Sequence, residues 1–252
     1  MYQEERIQMI LKYLGEHKKI SVEEICNLCN VSRDTARRDL VKLEEKGSIL
    51  RTRGGALLPT ITREIKSYKD RLYTDSKEKK AIGKLAASLI KNDDKIIMDT
   101  ATTVQACAEF LQVDSCTVIT NSINQADILS NKPGVDIHLL GGQLNQEQRF
   151  LYGPSVISML SNYCVDKTFV GCCGVTEKGV MVAFQEDGFV MKKMIEQADQ
   201  VILLVDSSKF GKKGFFKFAD LSQIDIIITG QLPNKTLMDA FNKYEINVML
   251  AK

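Results

Sequence analysis

VSRDTARRDL, residues 31–40, combines a helix-capping serine at Ser32, adjacent arginines at Arg37 and Arg38, and Ala36, Leu40 and Leu43 at helical spacing. A serine at that place accepts a backbone N–H that the first helical turn cannot satisfy internally. The apolar stripe on one side and the basic groups on the other suit a short helix laid in a nucleic-acid groove. Alone, the pattern specifies only an amphipathic helix, so its neighbours decide what it is.

Upstream, Ile7, Ile10, Leu11 and Leu14 recur at i, i+3, i+4, i+7, which predicts a first helix over 4–15 ending near Gly15. Ser21 with Glu24 three residues on forms a capping box for a second, short helix that turns Val22, Ile25 and Leu28 inward. Cys29-Asn30-Val31 makes a tight turn, and the third helix runs from its cap at Ser32 to about Glu45, where Gly47 stops it. Helix, short helix, three-residue turn and third helix make a helix-turn-helix. Downstream, SILRTR (48–53), Gly54-Gly55 and Ala56-Leu57-Leu58 read as two short strands around a glycine turn, a wing carrying Arg51 and Arg53.

The candidate DNA-binding residues follow from this order. Ser32, Arg33, Asp34 and Thr35 open the helix that enters the major groove, where Arg33 suits a guanine edge and Thr35 a thymine methyl or a phosphate. Arg37, Arg38, Arg51 and Arg53 suit phosphate contacts, which supply affinity and salt dependence rather than sequence choice. The bland alternative pairs Arg37 and Arg38 with Asp34 or Glu44 on a solvated face; two helices, a turn and a wing together outweigh it.

The chain has 252 residues, room for a small domain and a larger one, and a net charge of only +2. Its charges are unevenly spread: 11 Lys/Arg against 9 Asp/Glu over 1–58, 7 against 4 over 59–80, and 16 against 19 beyond. A basic head on a mildly acidic body is the expectation for a DNA-binding sensor. No run reaches the ~18 apolar residues of a membrane helix, and MYQEERIQMI has no secretory pattern, so a cytoplasmic protein without membrane association is expected. Seven cysteines, an odd number, fit reduced thiols. Cys26 and Cys29 form a CxxC without a second ligand pair, so core packing is expected there and neither a metal nor a cofactor is called for.

Residues 59–76, opened by Pro59 and lacking a sustained apolar face, read as a linker between a 1–58 head and a 77–252 body, in preference to a segment containing one loosely docked helical turn. In the body, KIIMD (95–99), TVIT (117–120), VDIHLLG (135–141), KTFVGCC (167–173), QVILLVD (200–206) and IDIIITG (224–230) are short, β-branched and apolar. They predict about six buried parallel strands joined by crossover helices, an α/β fold. Ligands in such sheets sit beyond the carboxyl ends of strands. Those ends carry Asp99-Thr100-Ala101-Thr102-Thr103, then Asn121-Ser122, Gly141-Gly142, Gly174 and Lys209, a set of small and polar groups suited to a small polyhydroxylated anion.

Residues 6–58 resemble the winged helix of the DeoR family of bacterial transcription regulators through the RI..IL..L opening, the Ser32..Thr35.Arg37-Arg38-Asp39-Leu40 core and the LR..GGA wing. Arg53 stands where that family usually has histidine. Residues 77–230 resemble the family's sensor domain at Asp99, Thr102, Thr103, Thr120-Asn121-Ser122, Gly141-Gly142, Gly153, Gly174 and 206–210. The resemblance implies a Rossmann-like body related to ribose-5-phosphate isomerase and the CoA transferases. It also implies a phosphorylated-sugar effector with its phosphate at the 100–104 loop. Thr100-Ala101 replaces the family's Ser-Gly, and Phe189 and Met191 stand where it has an acidic residue and a lysine. The expected function is repression of a carbohydrate-utilisation operon by a homo-oligomer, dimer or tetramer, on double-stranded operator DNA. The alternatives are a body whose effector is lost or changed, or a sugar-phosphate isomerase carrying an appended head.

Overall fold

The computed structural model describes residues 3–17, 19–45, 49–52, 54–57, 67–74 and 76–252, and the chain divides into two units, Met1–Lys66 and Ser67–Lys252.

In the first unit, α1 (Gln3–His17) runs past the glycine at which the sequence suggested a stop. A short strand that the sequence reading lacked, β1 (Lys19–Ser21), precedes α2 (Val22–Cys29). The expected capping box is formed: Glu24 N–H donates to Ser21 Oγ (3.1 Å), and Ser21 N–H donates to Glu24 Oε2 (2.7 Å). Asn30 ends α2 in the left-handed conformation, φ 51°, and α3 (Arg33–Glu45) follows. β2 (Leu50–Thr52) and β3 (Gly55–Leu57) form the wing hairpin, and β3 also pairs with β1, Ile20 opposite Ala56. Gly55 is required at that crossing, because a Cβ there would lie 2.1 Å from the Ile20 carbonyl oxygen. Ile10, Leu14, Ile25, Cys29, Ala36, Leu40, Leu43 and Ile49 fill one buried core. Cys29 thus packs in that core, with half-buried Cys26 against it.

The second unit begins earlier than expected. Residues 67–74, assigned to a linker from their charge, contain a capped helix, α4 (Tyr68–Tyr73), docked on the body. The expected linker is corrected to that extent; 58–66 lie outside the described residues, as do Gly47 and Arg53. Asp70 N–H donates to Ser67 Oγ (3.2 Å), and Tyr68 is buried. A single buried tyrosine gives no periodicity to detect, which is why the segment read as solvated.

The chain continues through α5 (Ser76–Ala87), β4 (Lys95–Met98), α6 (Thr102–Phe110), β5 (Cys116–Thr120), α7 (Ile123–Ser130) and β6 (Val135–Leu139). A small hairpin of β7 (Gln143–Asn145) and β8 (Phe150–Tyr152) leads to α8 (Pro154–Leu160) and β9 (Val165–Val170). Then come β10 (Gly174–Thr176), β11 (Gly179–Val182), α9 (Gln185–Glu196), β12 (Ala198–Val205), β13 (Phe216–Ala219), β14 (Ile226–Thr229), α10 (Lys235–Lys243) and β15 (Asn247–Leu250). All six expected strands are present in one parallel sheet of order β15-β14-β12-β9-β4-β5-β6. β15 is the addition: at an edge, with exposed ends and half-buried middle residues, it lacks the continuous buried apolar run of the inner strands. β10, β11 and β13 make a separate antiparallel sheet.

Period-two alternation splits the inner strands between two cores. Ile96, Met98, Ile202 and Leu204 join the helix residues Ile82, Val104 and Leu129 on one face. Val201, Leu203 and Val205 join Met191, Leu237 and Phe241 on the other, while Ile97 and Ile119 meet Val190 and Met194 there. The result is a three-layer α/β/α sandwich. Strand order reverses between β4 and β9, the switch point at which such sheets open a crevice.

Candidate functional site

On the first unit α3 has the two-sidedness its sequence implied. Ala36, Leu40 and Leu43 are fully buried, whereas Ser32, Arg33, Asp34, Arg37 and Arg38 are exposed and Thr35 is half-buried. Ser32 Oγ accepts the Thr35 N–H (3.3 Å) and lies 3.0 Å from Thr35 Oγ1, so the cap also orients that threonine. Among the described residues, Glu44 pairs with Arg51 of the wing (3.6 Å) rather than with Arg37 or Arg38. Asp39, wholly buried, ties α3 to α1 by accepting from Arg6 Nε (2.7 Å), Arg6 Nη2 (3.1 Å) and Gln3 Nε2 (2.9 Å). From the sequence Asp39 stands only as a letter of the Arg37–Leu40 motif, with no role of its own. Its place on the Ala36–Leu40–Leu43 stripe was the available signal.

On the second unit the switch point is knitted by Asp99. Its Oδ1 accepts the Ala101 N–H (2.7 Å) and its Oδ2 the Gly171 N–H (2.7 Å), joining the end of β4 to the end of β9. Gln125 Nε2 donates to the Asp99 carbonyl (2.6 Å), bringing in α7. α6 starts at Thr102 with no side-chain cap from Ala101, so its first amides have no capping acceptor there. Thr100, Thr102 and Thr103 are buried, and the Thr103 hydroxyl donates to the Leu204 carbonyl (3.5 Å).

Other expected members are placed apart or have structural work. Ser122 is buried and caps α7, accepting the Gln125 N–H (3.3 Å), so its hydroxyl is committed within the fold. Gly141-Gly142 follow the edge strand β6, two strands from β4, and a Cβ on Gly142 would meet Val156 at 2.5 Å. Gly174 begins β10, where a Cβ would lie 2.1 Å from the Lys212 carbonyl oxygen. Lys209 follows β12 and lies 3.8 Å from Asp206. Asn121 is buried, donating to the Leu151 carbonyl (2.9 Å) while its Oδ1 has no partner among the described residues. Phe189 and Met191, aligned with polar pocket positions, prove to be elsewhere. Phe189 is exposed with its ring 5.1 Å from that of Phe216, and Met191 is buried in the core. Their apolar character therefore answers to packing. A separate cleft of about 570 Å³ at the amino ends of strands, lined by Asn92, Gln112, Asp114 and Lys132 among others, contains none of the candidate residues.

Two groups not picked out from the sequence, Tyr68 and Arg71 from α4, complete the crevice together with Asp187 of α9, an acidic residue close to the aligned Phe189. Arg71 Nη2 donates to Gln148 Oε1 (2.9 Å), and the Tyr68 hydroxyl bonds Gln105. Burial pushes Asp187 up to about 7, helped by Asp99 and opposed by Arg71. Burial likewise pushes Asp99 up to about 6 against the Gly171 and Ala101 amides and the Arg71 charge. Two carboxyls shifted toward neutrality around one guanidinium mark a site rather than a solvated surface.

The profile of the DeoR-like helix-turn-helix domain matches residues 6–62, and that of the DeoR C terminal sensor domain matches residues 74–231. The chain belongs to the DeoR family. It is 54% identical to the HTH-type transcriptional repressor GlcR of Bacillus subtilis (strain 168), over 100% of this chain and 98% of that one. It is 30% identical to the glycerol-3-phosphate regulon repressor of Escherichia coli (strain K12), over 99% and 100% respectively. Among solved structures, ribose 5-phosphate isomerase A from Methanocaldococcus jannaschii aligns with a TM-score of 0.38 at 20% identity, covering 56% of each chain.

In this DeoR-family chain the signal that could have exposed α4 was present. Ser67-Tyr68-Lys69-Asp70 has the spacing of a capped helical turn, and Ser67 Oγ donates to Asp70 Oδ2 (2.7 Å). Glu78 of α5 was also missed; it receives the Ser207 N–H (2.8 Å) and hydroxyl (2.9 Å), holding the loop before Lys209.

Proposed function

We propose that this DeoR-family chain is a sequence-specific repressor of a carbohydrate-utilisation operon, relieved when a phosphorylated sugar binds beyond the strand ends of its second unit. The observation that carries the reading is a fully buried Ala36–Leu40–Leu43 stripe backed by exposed Arg33, Arg37 and Arg38 on one capped helix. Charges of one sign, turned outward and without an ion pair among the described residues, suit a polyanion. Ser32, Arg33, Asp34 and Thr35 would address base edges and nearby phosphates; Arg37, Arg38, Arg51 and Arg53 would hold the backbone. One short winged helix reaches few base pairs, so a dimer or tetramer would present paired heads. This function places the protein in the cytoplasm.

A regulator fits the crevice better than an isomerase. Both Asp99 oxygens accept backbone amides, so that carboxylate braces the strands instead of standing over a substrate proton. The ligand-side candidates are the α6 amides at Thr102 and Thr103 with Thr100, Ala101, Asn121 and Lys209.

Selection of binding sites from random duplex DNA with the wild-type chain and Arg33→Ala tests the head. A recovered motif that changes at one base pair per half-site with the variant is expected. Identical motifs would remove Arg33 from base reading. Thermal shift with sugar phosphates tests the body; a ligand at a hundredfold its dissociation constant adds ~2.7 kcal/mol. Turnover of any pentose or hexose phosphate would instead favour the isomerase.

A further inference from the structure

α4 is the first element of the second unit, entered directly from the chain that leaves the first unit at Lys66. It spans six residues, and its attachment is mostly polar. Tyr68 is its buried anchor, with its N–H on the Glu147 carbonyl (3.3 Å) and its hydroxyl on Gln105. The Arg71 carbonyl accepts from Lys79 Nζ (2.5 Å), and the Arg71 guanidinium lies 5.5 Å from the Tyr68 ring centroid while donating to buried Gln148. Arg71 Nε is buried and has no partner among the described residues, as is true of Asn121 Oδ1 just past the end of β5. The charge of Arg71 acts on both Asp99, at the end of β4, and Asp187, in the first turn of α9.

A short helix fixed by a few polar contacts opens more readily than the sheet it rests on. A guanidinium with an unused inward donor is the group best matched to a planar or tetrahedral oxyanion. We propose that Arg71 is an anion-binding residue of the sensor crevice, and that ligand bound to it tightens α4 on the sheet, so that occupancy resets the point from which the chain runs to the DNA-binding unit. The ligand class is a phosphorylated polyol, with the phosphate shared between Arg71 and the free amides at the start of α6. This rests on the sugar-phosphate reading of the crevice. It adds the residue that senses the phosphate and the element that reports it. The ligand shifts the equilibrium only by its preference for the docked state of α4, and Arg71 is the source of that preference.

Amide hydrogen exchange on the full chain tests the proposal, with inorganic phosphate, glycerol 3-phosphate, ribose 5-phosphate and hexose 6-phosphates as probes. In the wild type, an anion that slows exchange at 99–103 should also slow it at 68–73. In Arg71→Met, the same anion should bind roughly 10- to 100-fold more weakly and leave 68–73 fast. Arg71→Lys, which keeps the charge but loses the fork, should fall between them and carries the test if the methionine variant does not fold. Protection at 99–103 without any at 68–73, or wild-type affinity in both variants, would overturn the role of Arg71 and leave the sugar-phosphate reading standing. No protection at 99–103 with any probe would overturn both.

Discussion

Asp39, wholly buried, and Asp187, half-buried, are carboxylates that respond to pH in opposite directions. At Asp39 burial raises the carboxyl, but the Arg6 and Gln3 hydrogen bonds outweigh it and leave it below its ordinary value. A depressed carboxyl stabilises the head above the unfolded value, and that contribution is lost as pH falls through the folded one. At Asp187, raised to about 7 first by burial and then by Asp99, the sign reverses. The folded state holds a proton there that the unfolded chain releases near pH 4, so stability drains from the second unit as pH rises from about 4 through about 7 and levels off above that. Asp187→Asn removes that loss. Relative to the wild type, its stability should rise by about 2 kcal/mol between pH 5 and pH 8, several degrees in the melting transition for a unit of this size. Thermal melts followed across that range check this; parallel pH profiles for the two proteins would count against a raised Asp187.

At the scale of elements, the junction of β4, β9 and α6 is drawn together by contacts with no slack. A Cβ on Gly171 would lie 2.3 Å from the Ala101 Cβ, so the end of β9 and the residue before α6 touch through the smallest groups available. Gly171→Ala should push the Gly171 amide off Asp99 and destabilise the second unit by about 2 kcal/mol, within the range for overpacking a closed site. Adding Ala101→Gly should return most of it, which a double-mutant cycle in denaturant reads directly. Additive losses would mean the two residues do not meet. The sequence exposed part of this junction and hid part. Asp99, the threonines and the six inner strands were legible because burial on both faces writes itself as continuous apolar runs ending in polar residues. The head was legible through Ser21, Glu24, Ser32 and the Ala36–Leu40–Leu43 stripe, since caps and helical periods are local. Tyr68 and Arg71 were not, because they come from α4 and join the crevice only through tertiary packing; Asp187 was visible as an acidic residue near Phe189, but not its reach into the crevice. Ser122 and Gly142 show the ambiguity of the signal: a polar or small residue at a strand end can serve a cap or a close approach as readily as a ligand.

At the scale of the molecule, the question is how many heads engage one DNA site, and salt can count them. Each phosphate contact made by an arginine releases counterions, and log K falls against log salt with a slope of about −0.9 per contact on duplex DNA. Arg37 is exposed on α3 with no ion pair among the described residues, so its substitution by alanine removes a DNA contact without breaking an internal one. If a single head binds each site, Arg37→Ala should make the slope shallower by about 0.9; if two heads bind, the single substitution is counted twice and the change should be about 1.8. The proposed paired arrangement therefore predicts the larger figure. It also predicts weaker binding on all sequences alike, because phosphate contacts carry no base information. Fluorescence anisotropy on one operator-length duplex from 50 to 300 mM salt gives both readings (~50–300 mM spans the range where counterion release dominates). A change near 0.9 would assign one head per site, and no change at all would take Arg37 off the DNA backbone.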